Sequence, residues 1–231
     1  MRKFIIMGVQ GCGKGTQAKL LKDAFDLVHI SVGDIFRWHI QSHTKLAAKI
    51  GRSTAAGELV SDDIVEEIVR GRLDQHDWNF GFILDGFPRN RRQAEFFLES
   101  YDIDAVIHIE LADQVVRDRV LNRRLCGRCG LDYNLIFHRP ANPEICDVCG
   151  GTLTSRADDN PDAVDNRLRD YHSKTRPILD LFSRKELIVN VDGSQPVADV
   201  QGEIRRRLGL DTKKPQVRRQ ASIAEPAVAA V

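Results

Sequence analysis

The stretch GVQGCGKGTQ, from Gly8 to Gln17, follows directly on the apolar run Phe4-Ile5-Ile6-Met7. Its residue types suit phosphate binding. Gly8, Gly11 and Gly13 let backbone amides turn inward and approach phosphate oxygens closely. A helix opening at Lys14 would direct its N-terminus at the anion, and Lys14 would reach the terminal phosphates as a point charge. Such a loop usually has Ser or Thr directly after the Lys, where the hydroxyl meets magnesium. Here Gly15 takes that place, and the hydroxyl comes one residue later, at Thr16.

A second constellation lies far along the chain. Cys126-x-x-Cys129 and Cys146-x-x-Cys149 are separated by sixteen residues, with Gly127, Gly130, Gly150 and Gly151 beside them. Four thiolates at this spacing are the pattern of a tetrahedral metal site, with two redox pairs or free thiols as the alternative. All four ligands are protein groups, so the expected metal is a structural Zn2+ rather than a catalytic one. The fifth cysteine, Cys12, sits in the glycine loop. Two readings stay open for it: an inert small side chain, or a reactive thiol whose pKa is lowered by a helix N-terminus.

These groups need a scaffold. Short apolar runs predict strands over 3–8, 27–30, 81–84, 105–111 and 187–191. Helical periodicity covers 14–25, 33–41, 45–56, 90–101, 113–124, 162–185 and 196–208, with Pro177 placed to kink the long one. A further helix follows Ser61, a good N-cap ahead of Ile64, Val65, Ile68 and Val69. Strands alternating with helices imply an α/β fold with a parallel sheet between helical layers. The composition changes at Leu125, where the cysteine-bearing segment begins, and periodicity fails again after residue 210.

Bulk composition excludes several classes. The 231 residues carry a net charge of +1 and only 6% aromatic residues, so a nucleic-acid-binding zinc ribbon is disfavoured. Positive charge for phosphate must be concentrated locally. No apolar run approaches the roughly 20 residues that span a bilayer, and no secretory signal pattern is present. A cytoplasmic protein is expected, with no nucleic-acid or membrane partner and acting as a monomer.

The loop resembles that of adenylate kinases, in which Gly-Lys-Gly-Thr-Gln is usual, and the likeness continues in unbroken order over about residues 1–210. Ile30-Ser-Val-Gly-Asp-Ile-Phe-Arg37, Gly57-Glu-Leu-Val60 and Asp85-Gly-Phe-Pro-Arg89, with Gln93 beyond, resemble the family's acceptor-site motifs. Arg119, Arg123, Arg156, Asp158, Asp159 and Arg167 fall where the family places the charges of its lid and flanking helices. Val191-Asp-Gly-Ser-Gln-Pro196 resembles the segment beside the donor adenine.

The resemblance implies a P-loop NTPase-type core (1–30, 61–124 and 161–210), a helical nucleoside monophosphate-binding segment (31–60), an inserted zinc-binding lid (125–160) and a flexible tail (211–231). It implies reversible phosphoryl transfer from ATP to AMP, giving two ADP. The ATP site would comprise Gly11, Cys12, Gly13, Lys14, Gly15 and Thr16 with Arg119, Arg123, Asp132, Tyr133 and Gln195. The AMP site would comprise Val32, Arg37, Glu58, Leu59, Val60, Gly86, Phe87, Pro88, Arg89, Gln93, Arg156 and Arg167. Lys14, Arg123, Arg156 and Arg167 would be catalytic, because two polyanions must be drawn together against their repulsion. Asp85 would hold Mg2+ through water, with Asp34 a weaker candidate.

The chain departs from the family at Gln10, where Pro is common, and at Val32, where Thr is usual. Val has no hydroxyl to offer a base. A kinase for another monophosphate, such as UMP or CMP, is therefore the alternative. A non-catalytic nucleotide sensor would not need the retained cations.

Overall fold

The computed structural model describes residues 2–77, 80–185 and 187–210 of the chain. The tail expected over 211–231 lies outside the described residues. At the centre is β1 (Lys3–Gly8), followed by α1 (Lys14–Phe25) and β2 (Val28–Ser31). Helices α2 (Val32–Gln41), α3 (Ala47–Ala56) and α4 (Asp62–Asp74) precede β3 (Phe82–Asp85). Then come α5 (Arg91–Ser100), β4 (Ala105–Glu110) and α6 (Asp113–Leu121). A small sheet follows, of β5 (Arg123–Cys126), β6 (Asp132–Asn134) and β7 (Leu153–Thr154). The chain returns through α7 (Pro161–Asp170), a π-helical turn (Tyr171–Thr175), α8 (Arg176–Ser183), β8 (Ile188–Asp192) and α9 (Val197–Arg207).

The large sheet is wholly parallel, in the order β2-β3-β1-β4-β8. Helices cover both faces, and this explains the unbroken apolar run of β1. Successive side chains point to opposite faces. Phe4 and Ile6 pack with Leu21, Val116 and Ile204 on one side, while Ile5 and Met7 pack with Val69, Phe97 and Phe182 on the other. The small sheet is antiparallel and stands apart, with a core of only Cys126, Tyr133, Cys146 and Leu153 among buried residues.

Most element boundaries agree with the sequence reading to within two residues. Three differences have physical reasons. The helix expected over 113–124 ends at Leu121, and Arg123 and Arg124 already belong to β5, paired with Asn134 and Tyr133. Their strand partners are contributed from farther along the chain, so helical periodicity alone carries the reading too far. The long helix over 162–185 is interrupted by the π turn rather than kinked at Pro177 itself. Pro177 sits in the first turn of α8, directly after the π turn, so its missing N–H falls where the regular ladder is already interrupted. Ser61 does occupy the N-cap position of α4, but its side chain makes no capping bond.

Gly57 ends α3 at φ 74, and a Cβ built there would lie 2.5 Å from the Ala163 carbonyl oxygen of α7. Backbone thus meets backbone where α3 joins α7. Gly57→Ala should destabilise the fold by roughly 2 kcal/mol, lowering the melting temperature by about 4–8 °C in calorimetry.

Candidate active site

All strands of the large sheet run the same way, so their C-terminal ends share one edge, where Ser31, Asp85 and the glycine loop after Gly8 meet. Ligands of open α/β sheets bind outside this edge. A cleft of about 1230 Å³ opens there. That exceeds the roughly 300–1,000 Å³ of a single small-molecule site. Every residue expected at either nucleotide site lines this one cleft, as does Asp85.

The glycine loop forms the floor. Lys14 Nζ donates to the Gly8 and Val9 carbonyls, both at 2.8 Å, so the ammonium crosses the loop's mouth. A Cβ at Gly15 would lie 3.6 Å from Asp85 Oδ2. The carboxylate at the end of β3 thus faces the spot from which a Ser or Thr side chain would project. His29, not foreseen from sequence, places Nε2 3.7 Å from the same oxygen. Asp34, the weaker metal candidate, gives its carboxylate to Arg37 instead. Burial opposes ionisation of Asp34, but the Arg37 charge and hydrogen bond outweigh it and hold the carboxyl below its usual range.

The cations converge from several elements. Arg123, in β5, donates to Asp159 from Nε at 2.8 Å and from Nη2 at 2.5 Å. Arg167, in α7, reaches Asp158 at 2.5 Å, and Arg156 reaches Asp132 at 3.3 Å. Arg89 lies across the loop after β3, with Nε donating to the Gly86 carbonyl at 2.9 Å. Burial pushes the Arg89 guanidinium down from its ordinary value, and the neighbouring Arg167 charge adds to it. Arg156 is pushed down by burial, then by Arg123 and Arg37. Guanidinium stays protonated through such shifts, so these depressions record burial first and crowded, mutually repelling positive charge second. Arg119 donates to the Gly193 carbonyl at 3.0 Å, with its guanidinium 5.4 Å from the Phe137 ring centroid.

Gln93 shows how a specific contact is prepared. Its Oε1 accepts from the Arg89 amide at 2.8 Å, and its Nε2 donates to Asp62 at 2.7 Å. Asp62 can only accept, which fixes the orientation of the carboxamide and leaves one hydrogen and one lone pair for a ligand. Asp62 and Gln93 stand 31 residues apart, so sequence reasoning had no signal for the pair. It likewise missed Thr175, whose Oγ1 donates to the Arg89 carbonyl at 2.7 Å. His108 was missed too. Its Nδ1 lies 2.9 Å from Asn190 Oδ1 and its Nε2 2.8 Å from the Tyr171 hydroxyl, which ties the π turn to β4.

The cysteines form a compact group away from the cleft floor. Their four sulfurs lie within 4.8 Å of one another, with Cys126–Cys149 at 3.4 Å and Cys129–Cys146 at 3.6 Å. A zinc tetrahedron with bonds of about 2.3 Å has edges of about 3.8 Å, so the set fits that ion. The amides of Arg128 and Cys129 point at Cys126 Sγ, at 3.4 and 3.5 Å. The Tyr133 hydroxyl holds the Cys146 thiol down to about 6. Tyr133 borders the cleft, its hydroxyl turned into this cluster and its ring stacked on His138, which lines the same cleft.

A family model described as adenylate kinase matches residues 6–187. The adenylate kinase of Caldicellulosiruptor saccharolyticus is 40% identical over 214 residues, covering 90% of this chain and all of that protein. That of Bacillus subtilis is 41% identical over 211 residues, covering 89% and 97%. That of Staphylococcus aureus is 42% identical over 206 residues, covering 87% and 96%.

Cys12 overturns the reactive reading. It is only 2% exposed, and a Cβ on Gly8 would meet its sulfur at 2.7 Å. Burial pushes the thiol up, and Lys14 only partly offsets this. In the native protein Cys12 should resist iodoacetamide equally with and without ATP, and label only on unfolding, as read by peptide mass spectrometry.

Proposed function

The chain belongs to the adenylate kinase family, and from that premise we infer how its residues transfer the terminal phosphoryl group of ATP to AMP, giving two ADP, in either direction. It is a nucleoside monophosphate kinase. The observation that carries the residue assignment is the single cleft that the phosphate loop, the acceptor motifs and the arginines all line.

In this reading the loop from Gly11 to Thr16 and the Lys14 ammonium bind the ATP phosphates. Arg119 and Gln195 border the donor base, and Asp132 restrains Arg156 beside it. Arg37 and Arg89 hold the AMP phosphate by charge-assisted bonds. Val32, Glu58, Leu59, Val60, Gly86, Phe87 and Pro88 wall the acceptor. Gln93 meets the adenine edge with its remaining hydrogen and lone pair. An AMP phosphate oxygen bonds to the γ-phosphorus as the bond to the ADP bridging oxygen breaks, with no covalent enzyme intermediate. Arg123, Arg156 and Arg167 surround the phosphoryl group in flight, where their charge counts most.

Asp85 would hold magnesium through water, and the ion, carried with ATP, would offset phosphate charge. The proximity of Gly15 to Asp85 supports this: the acid stands in for the hydroxyl missing at position 15. The sulfur geometry supports zinc as the structural metal of the lid. We take 1–30, 61–124 and 161–210 as core, 31–60 as the acceptor segment and 125–160 as the lid. The separation of the small sheet from the large one supports that division. Among the described residues no helix is long and apolar enough to cross a membrane. Thiols grouped for metal rather than disulfides support a cytoplasmic protein, and we take it to act as a monomer.

A panel of monophosphates at equal concentration tests the acceptor. ADP should form fastest with AMP, and faster turnover of UMP or CMP would replace AMP as the substrate. Purified protein should carry one zinc per chain by elemental analysis, and Cys146→Ser should lose it. With so small a lid core, that variant should gain protease cuts confined to 125–160 while the core's thermal transition stays in place.

A further inference from the structure

Gln10 lines the cleft at the entry to the phosphate loop. Its Nε2 donates to Asp159 Oδ1 at 3.2 Å, across 149 residues of sequence. The same oxygen accepts Arg123 Nη2 at 2.5 Å, while Oδ2 accepts Arg123 Nε at 2.8 Å. The Asp159 side chain is 1% exposed, so it has little access to solvent donors. The Asp159 amide also bonds the Arg156 carbonyl, at 3.1 Å. A carboxylate can only accept, so the Gln10 amide must present its NH₂ here.

We propose that Gln10 is a positioning residue that ties the phosphate loop to Arg123 through Asp159. A bidentate Arg–carboxylate pair is planar. Whatever fixes the rotation of the carboxylate therefore fixes the guanidinium. The Gln10 bond supplies that restraint from the loop that holds the donor phosphates. Donor binding and the aim of Arg123 are thus joined by one side chain. The proposal rests on the role given above to Arg123 and extends it to a residue that touches no reacting atom.

The test is a double-mutant cycle of Gln10→Ala and Arg123→Ala, read as kcat and as KM for ATP. Gln10→Ala should lower kcat about three- to ten-fold, the worth of one partly buried hydrogen bond, and leave KM within about two-fold. In the Arg123→Ala background the same substitution should change kcat by less than about two-fold, because no guanidinium remains to be aimed. Losses that multiply, or a Gln10→Ala enzyme with parental kcat, would overturn the proposal. Gln10→Glu keeps the size of the side chain and sets a like charge against Asp159. It should be slower than Gln10→Ala, and a parental kcat would overturn the proposal even if the alanine variant fails to fold. An Arg123→Ala enzyme as fast as the parent would overturn the role of Arg123, and the proposal with it.

Discussion

Guanidinium groups that repel one another inside one cleft set the terms for the rest of this structure. Arg89 and Arg156 are depressed by burial and by neighbouring arginines, yet stay charged. Such a group is costly to assemble unless anions offset it. The protein supplies a few of its own. Asp158, Asp159, Asp132 and Asp34 each hold one arginine. Burial alone would raise the Asp158 pKa, but Arg167 outweighs it and keeps the carboxylate ionised. These acids keep the cations oriented without filling the cleft. In the proposed assignment, phosphoryl groups of two nucleotides would supply the remaining negative charge, which is the condition for bringing two polyanions into reach of each other.

That arrangement dictates architecture. The cations must come from separate elements if they are to surround a group rather than line up beside it. Arg37 comes from α2, Arg89 from the loop after β3, Arg123 from β5, Arg167 from α7, and Arg156 from the stretch between β7 and α7. A parallel sheet serves this purpose because its strand ends open on one edge. The small cysteine-bearing sheet contributes Arg123 directly. Its own core is slight, and the four grouped cysteines offer a site where a metal staple would keep those residues in register.

Contacts between distant positions then refine the site. Asp62 orients Gln93, Thr175 holds the backbone of Arg89, and His108 anchors Tyr171 at the π turn. Because Asn190 Oδ1 only accepts, His108 carries its proton on Nδ1 and leaves Nε2 to accept from Tyr171. The π turn follows Arg167 and ends at Thr175, so this bond steadies the backbone that joins these two side chains.

The loop from Gly8 to Gln17 and the cysteine spacing were legible in the sequence because each is a local pattern with a local reason, whereas the acceptor motifs were legible only through the family resemblance. Glycines are needed where amides face an anion, a helix must start at Lys14, and thiols three residues apart can share an ion. The alternation of elements likewise fixed the fold class. What the sequence could not tell was which groups share an atom. Asp159 lies far along the chain from Gln10, and Arg123 was read as helical although a strand partner claims it. Cys12 could be read as buried or reactive until its packing under Gly8 was known. Burial, pKa and partnership are properties of distance in space, and only the folded chain sets those distances.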